Sequence, residues 1–253
     1  MNFIVAIPSY DRSKQITKKS LVMLSEGGVD KDKIYVFVAN EEEEEIYQKE
    51  LDPESYHKIV VGVKGLVNQR IFISRYFPEG QMIVSVDDDI EHLLIRPVSP
   101  KNSNVKLTKL IDVNQFLTDA FIDLQDRNLF LWGVYPTKNP YWMMNDRTTD
   151  LRFIIGCIHG YINRHDPDLY PDNRSVSKED IEQSVLFFMK DKGVLRYNNV
   201  SFKTKWNDIG GLGVERFQMN KEAQEYLCEK YPQYLKPTFR KSGSPEVRFA
   251  CPR

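Results

Sequence analysis

Met82-Ile83-Val84-Ser85-Val86-Asp87-Asp88-Asp89-Ile90 is a short apolar run that ends abruptly in three consecutive carboxylates. An apolar run of this length bounded by a polar turn reads as a buried strand. More apolar residues follow the turn (Ile90, Leu93, Leu94), which separates it from an ordinary solvated acidic loop. The elements before it give it a setting. Phe3–Ile7 is an apolar run stopped by Pro8, Lys14–Ser25 has helical spacing and ends at Gly27-Gly28, and Ile34–Ala39 reads as a strand. Glu41–Leu51 reads as a helix, Lys58–Val61 as a strand and Leu66–Tyr76 as a helix. Strands alternating with helices of this length make βαβ units. The expected fold is α/β, a mainly parallel sheet flanked by helices, with the triple aspartate at the carboxyl end of a strand, where open sheets of this kind bind ligands.

The later pattern is looser but still helical and extended by turns. Asp112–Arg127, Ser177–Lys192 and Lys221–Tyr231 are amphipathic helices, with Ser177 as the candidate N-cap of the second. Leu129–Val134 and Phe153–Ile162 read as strands, and Asp166–Arg174 as a loop. No repeat or linker divides the 253 residues, so one domain is expected, with residues 1–95 as a nucleotide-binding half and 96–253 as an acceptor half.

Hydrophobic residues at 41% and charged residues at 28% exclude disordered and fibrous classes. No stretch reaches the roughly 20 apolar residues of a membrane span, and Met1–Arg12 lacks the basic start of a signal peptide. Three widely spaced cysteines (Cys157, Cys228, Cys251) fit reduced thiols in a cytoplasm and exclude a CxxC zinc site. The net charge of −1 is uneven. Residues 190–253 hold 13 Lys and Arg against 7 Asp and Glu, a surplus of six, which leaves −7 for residues 1–189. An acidic body with a basic tail suits a cation in one part and a polyanion in the other.

Three adjacent anions cost repulsion unless a cation is supplied, and an all-oxygen site suits Mg²⁺ or Mn²⁺ bridging to a diphosphate. At the end of the first strand stands Ile7-Pro8-Ser9-Tyr10-Asp11-Arg12, where Tyr10 offers a ring to a base and Arg12 a fork to phosphate. Gly65-Leu66-Val67-Asn68-Gln69-Arg70 opens a helix with a glycine and carries an arginine in its first two turns. The run Glu41–Glu45 reads as first-turn carboxylates facing a helix dipole.

The ordered set IPSYDR, GLVNQR and VSVDDDI, spanning residues 4–94, resembles the GT-A glycosyltransferases, which use an Asp-x-Asp metal motif to transfer a sugar from a nucleotide diphosphate. More narrowly it is similar to the TET-associated and base-J-type DNA glycosyltransferases of phages and some eukaryotes. The resemblance implies a GT-A fold, a nucleotide-sugar donor such as a UDP-sugar, Mn²⁺ or Mg²⁺ as cofactor, and a hydroxymethylated pyrimidine in DNA as acceptor. It also implies a viral source, with host cytoplasm as the compartment, and no obligate protein partner is expected. Pro8, Ser9, Tyr10, Arg12, Gly65, Gln69, Arg70, Asp87 and Asp88 would bind the donor, and Asp89 with Asp87 the metal. Lys178-Glu179-Asp180-Ile181-Glu182 resembles the xED element of inverting members, making Asp180 the first choice for catalytic base and Glu179 the second.

The late metal-binding histidine of many such enzymes has no counterpart after His165, so water and phosphate, or an earlier residue, would complete the shell. His159 reads as a packed strand-face residue. Trp206–Gly213 is glycine-rich and can serve as a lid or as a plain loop. Around it Lys203, Lys205, Arg240 and Lys241 alternate with aromatic rings, a pattern suited to nucleic acid. A protein, glycan or small-molecule acceptor remains the alternative, as does nucleotide binding without transfer.

Overall fold

The computed structural model describes residues 2–98, 105–204 and 216–250. Strand β1 (Phe3–Pro8) leads through helices α1 (Ser13–Lys18) and α2 (Ser20–Glu26) to β2 (Ile34–Val38), α3 (Glu41–Glu50), β3 (Lys58–Val61), α4 (Leu66–Tyr76) and β4 (Met82–Val86). Then come β5 (His92–Ile95), β6 (Thr108–Lys109), α5 (Val113–Asp126), β7 (Leu131–Val134), β8 (Arg147–Thr148) and β9 (Ile158–Ile162). The chain continues with α6 (Glu179–Asp191), β10 (Leu195–Tyr197), β11 (Val200–Lys203), α7 (Arg216–Lys230) and a hairpin of β12 (Leu235–Phe239) and β13 (Pro245–Phe249).

The main sheet has the order β3-β2-β1-β4-β9-β7-β10-β8, and all its strands except β9 and β8 run the same way. Both faces are covered, which is why its central strands are unbroken apolar runs and not alternating ones. Along β1, Phe3, Val5 and Ile7 pack into one core and Ile4 and Ala6 into the other. A third core joins α6 to α7 and the hairpin, around Ile181, Val185, Leu227 and Leu235. Strands β11, β5 and β6 form a separate small sheet beside the triple aspartate.

The structure departs from the sequence reading in three places that matter for the site. The expected helix 14–25 is broken at Lys19 (φ −124°, ψ −86°). Just past the break, the buried Ser20 hydroxyl donates to the Asp87 carbonyl (2.6 Å) and accepts from the Ile90 N–H (3.0 Å), clasping the acidic turn from below. The expected strand 153–162 begins only at Ile158. Residues 154–156 peel away because their N–H groups bond the α6 side chains: Ile154 to Ser184 Oγ (2.9 Å) and Gly156 to Asp180 Oδ2 (3.1 Å). Helix α6 starts after Lys178 and not Ser177, whose hydroxyl instead donates to the Met219 carbonyl (3.1 Å).

One buried carboxylate fastens the C-terminal unit to α6. Glu182 is fully buried and accepts from Ser175 Oγ (2.6 Å), Asp172 N (2.9 Å), Tyr231 Oη (2.8 Å), Lys230 Nζ (3.0 Å) and Tyr226 Oη (3.2 Å). Removing it strands hydroxyls and an N–H group away from water, while Lys230, 42% exposed, can rehydrate. Glu182→Ala is therefore expected to cost about 2–4 kcal/mol in denaturant unfolding, and Glu182→Gln clearly less. A loss below about 1 kcal/mol for the alanine variant would show that Glu182 is not the fastening.

Candidate active site

The carboxyl ends of β3, β2, β1 and β4 lie side by side, so the three motifs meet at one edge of the sheet. Between them is a cleft of about 440 Å³, lined by Pro8, Ser9, Tyr10, Arg12, Gly65, Gln69, Asp87 and Asp88, together with Ala39, Val63, Lys64 and Leu66. Gly65 caps α4 with φ +96°, a conformation that L side chains rarely adopt. Tyr10 is 47% exposed, and Lys64 Nζ stands 5.3 Å from the centre of its ring. Gln69 is buried, with its amide bonding Val63 N (2.8 Å) and the Val38 carbonyl (3.0 Å). It lines the cleft while tying the ends of β2 and β3 together.

The three aspartates have different environments. Asp88 turns inward. It accepts from Ser9 Oγ (2.6 Å) and Arg12 Nη1 (3.1 Å), and a chain of donors runs back from Ser9 through Tyr47 Oη (2.6 Å) to the Arg12 N–H (3.1 Å). Burial pushes the Tyr47 hydroxyl up to about 12, so it stays a donor. The same loop is pinned at Asp11 (φ +54°), whose N–H bonds Glu43 (2.9 Å). Glu43 thus has a duty beyond the helix dipole that its first-turn position suggested.

Asp87 and Asp89 keep more of their surface, with side chains 31% and 15% exposed against 7% for Asp88. Asp87 bonds the Cys157 carbonyl through its N–H (2.8 Å), and its carboxylate lies 3.5 Å from Arg70 Nη2. Burial pushes Asp87 up to about 6; Arg70 opposes this, and the neighbouring Asp89 and Asp88 add to it. A bound cation would reverse that push. Among the described residues no three His, Cys, Asp or Glu side chains form a ready cage. Two partly exposed carboxylates fit Mg²⁺ or Mn²⁺, which keep several positions for water and phosphate oxygens. Burial, with Asp87 and Asp180 nearby, pushes the Cys157 thiol well up, so it is a proton-bearing neighbour.

Glu179 and Asp180 arrive from the first turn of α6. Arg70 joins them to the triple aspartate: its Nη1 donates to Glu179 Oε1 (2.6 Å) and its Nη2 to the Gly156 carbonyl (2.9 Å). The N–H of the same glycine serves Asp180, whose Oδ2 accepts from Gly156 N and whose Oδ1 accepts from Ile181 N (2.9 Å). A Cβ at position 156 would meet both terminal nitrogens of Arg70 within 2.9 Å, so any larger residue would displace the guanidinium from its partners. Burial pushes Glu179 and Asp180 up, opposed in both by Arg70 and in Asp180 first by the Gly156 N–H. The five acids outnumber Arg12 and Arg70 by three formal charges.

The sequence reading did not find Tyr47, Glu43, Ser20, Lys64, Gly156 or Cys157. Only Gly156 carried a signal, as an isolated glycine within an apparent strand, a pattern that marks close approach of another group. His159 is buried, as expected, and bonds the Gly156 carbonyl through Nδ1 (3.2 Å). Of the cations assigned to nucleic acid, Lys203 pairs with Glu91 (2.7 Å) and Arg240 with Glu246 (2.8 Å), while Lys241 is exposed. Lys205 and the loop 206–213 lie outside the described residues.

No protein-family model matches the sequence, and no curated protein matches it. Among solved structures the chain is similar to S. aureus TarS, with a TM-score of 0.55 and 16% identity over 91% of this chain and 44% of that one. It is also similar to a mycobacterial protein, with a TM-score of 0.52 and 13% identity over 99% of this chain and 84% of that one. Glucosyl-3-phosphoglycerate synthase from Mycobacterium tuberculosis, solved with Mn²⁺, UDP-glucose and phosphoglyceric acid, aligns with a TM-score of 0.49 at 11% identity, over 98% of this chain and 86% of its own. This chain spans less than half the length of TarS. The fold is α/β of the GT-A type, with a large mainly parallel sheet between helices. Among the described residues no helix is long and apolar enough to cross a membrane.

Proposed function

We propose that this chain is a metal-dependent glycosyltransferase that moves a sugar from a nucleotide diphosphate to an acceptor hydroxyl, with inversion. One observation carries the reading: the donor-sized cleft and the Glu179–Asp180 pair meet across Arg70 at the carboxyl edge of a GT-A sheet. Tyr10 offers its exposed ring to the base, and Lys64 and Arg12 offer charge to the diphosphate. Asp87 and Asp89 would hold Mn²⁺ or Mg²⁺, which supplies positive charge to the leaving diphosphate. Asp180 accepts the proton of the acceptor hydroxyl as its oxygen attacks the anomeric carbon. Glu179 is engaged by Arg70 and keeps that guanidinium between the two groups of acids.

The narrower reading, a hydroxymethylated pyrimidine in phage DNA as acceptor, rests on the resemblance of the motifs. The paired state of Lys203 and Arg240 gives it no further support. Both levels are tested by incubating the protein with Mn²⁺ and a panel of nucleoside diphosphate sugars, with and without hydroxymethylcytosine DNA. Slow release of nucleoside diphosphate from one donor is the expected result, and a sugar mass gained by the modified base would establish the DNA acceptor. No release from any donor would leave nucleotide binding without transfer.

A further inference from the structure

A second, much smaller cavity of about 40 Å³ lies behind the Arg70–Glu179 pair, on the side away from the donor cleft. Its apolar wall includes Val67 and Phe187, but five polar atoms in its lining residues are buried and have no partner among the described residues: Arg70 Nε, Ser85 Oγ, His159 Nε2, Arg164 Nε and Gln183 Oε1. His159 and Ser85 are 1% and 3% exposed and stand opposite each other in the β4–β9 register, so both side chains leave the sheet on one face. Both arginines are otherwise engaged. Arg70 holds Glu179, Asp87 and the Gly156 carbonyl, and Arg164 forms a two-bonded pair with Asp191 (2.8 and 2.7 Å).

Buried polar groups of this density are satisfied in native proteins, by water where the protein does not reach. The proton inventory sets the number. With Nδ1–H given to Gly156, the imidazole presents Nε2 as an acceptor. The protein then offers three donors (Arg70, Arg164, Ser85) and three acceptors (His159, Gln183 and the Ser85 oxygen). About two waters bonded to each other expose three protons and three lone pairs, which matches that set. At roughly 10–15 Å³ of such space per water, the cavity has room for them.

We propose that this cavity is a built site for a pair of ordered waters, and that Ser85, His159 and Gln183 act through these waters to position Arg70. The waters complete the hydrogen bonding of the guanidinium on its cavity side. Its other edge is thereby held in register with Glu179, Asp87 and the carbonyl of Gly156, whose N–H holds Asp180. The water site stands on geometry alone, whereas its catalytic consequence rests on the transferase reading above.

The test begins with the wild-type protein. Crystals diffracting to high resolution are expected to show two waters within hydrogen-bonding distance of Arg70 Nε and His159 Nε2, and xenon-pressurised crystals no xenon there. Xenon in the cavity would mark it as dry and overturn the proposal. The second arm is Gln183→Leu, which removes one acceptor outside the reacting groups. In ¹H–¹⁵N spectra the Arg70 Nε–H signal is expected to shift and to lose its cross-peak to long-lived water. Turnover is expected to fall about tenfold with donor KM unchanged, as when a supporting hydrogen bond behind a reacting group is cut. Waters present but an unmoved Arg70 signal in Gln183→Leu would overturn the positioning role. Because the crystal and spectroscopic readouts need no substrate, a wild-type protein without transferase activity would count against the proposed function and not against the water site.

Discussion

Asp89→Ala is expected to lose about 10³ in metal-dependent turnover while keeping its fold, since a divalent cation at a leaving diphosphate contributes several kcal/mol of charge stabilisation. The acidic turn is fixed by other atoms. Asp88 is tied to Ser9 and Arg12, the Asp87 N–H to the Cys157 carbonyl, and the Ile90 N–H to Ser20. Among the described residues the Asp89 carboxylate has only a loose approach of 3.9 Å to Arg12, and removing it relieves repulsion among neighbours of the same sign. Its cost to stability should stay within about 0.5 kcal/mol. Asp88→Ala reverses this pattern. It strands a buried Ser9 hydroxyl and one face of Arg12, at about 1–3 kcal/mol, and unsettles the loop that carries Tyr10. Measuring Mn²⁺-dependent donor turnover and thermal unfolding for both variants separates the two roles. Full metal-dependent turnover in Asp89→Ala would remove this residue from the metal site and the Asp-x-Asp reading with it.

That contrast also marks how far the sequence could be read. Strands β1 to β4 and helix α4 were legible because each is a local pattern: an unbroken apolar run for a strand covered on both faces, a glycine for a helix start that needs positive φ. The clustering of IPSYDR, GLVNQR and the triple aspartate followed from topology, since successive parallel strands bring their carboxyl ends to one edge. Which aspartate turns inward was not legible. The choice is made by Ser9 and Arg12, about eighty positions away in sequence. The peptide at Gly156 was hidden for a similar reason. Residues 153–157 are apolar enough to extend β9, and only the demands of Ser184 and Asp180 on their N–H groups pull them out of the sheet. The hairpin β12–β13 was missed because its strands are mixed in polarity, with only Leu235 buried in β12 and only Pro245 and Val247 in β13.

Asp180→Asn is expected to reduce transfer by about 10²–10⁴, the usual worth of a positioned base, with donor affinity preserved. The amide keeps the shape and its oxygen can still accept from Gly156 N, while Ile181 N, which loses its Asp180 acceptor, keeps the Lys178 carbonyl (3.1 Å), so the surrounding structure has little reason to move. In the wild type, transfer should fall as pH drops, because a base works only when deprotonated. Burial raises both members of the pair, which places this acid limb above 3.8, where an ordinary aspartate titrates. The two carboxyls titrate as a unit, so the limb reports the pair. Asp180→Asn should be slow and flat across the same range. Glu179→Gln should behave differently: it breaks a 2.6 Å ion pair and frees Arg70 to swing toward Asp87, so donor binding and rate change together. If instead Glu179→Gln gives the slow, flat profile with unchanged donor affinity, while Asp180→Asn retains the acid limb, the roles are exchanged. Arg70 would then have to release Glu179 when acceptor binds, because the carboxylate oxygen that would take the proton is engaged at 2.6 Å by a guanidinium.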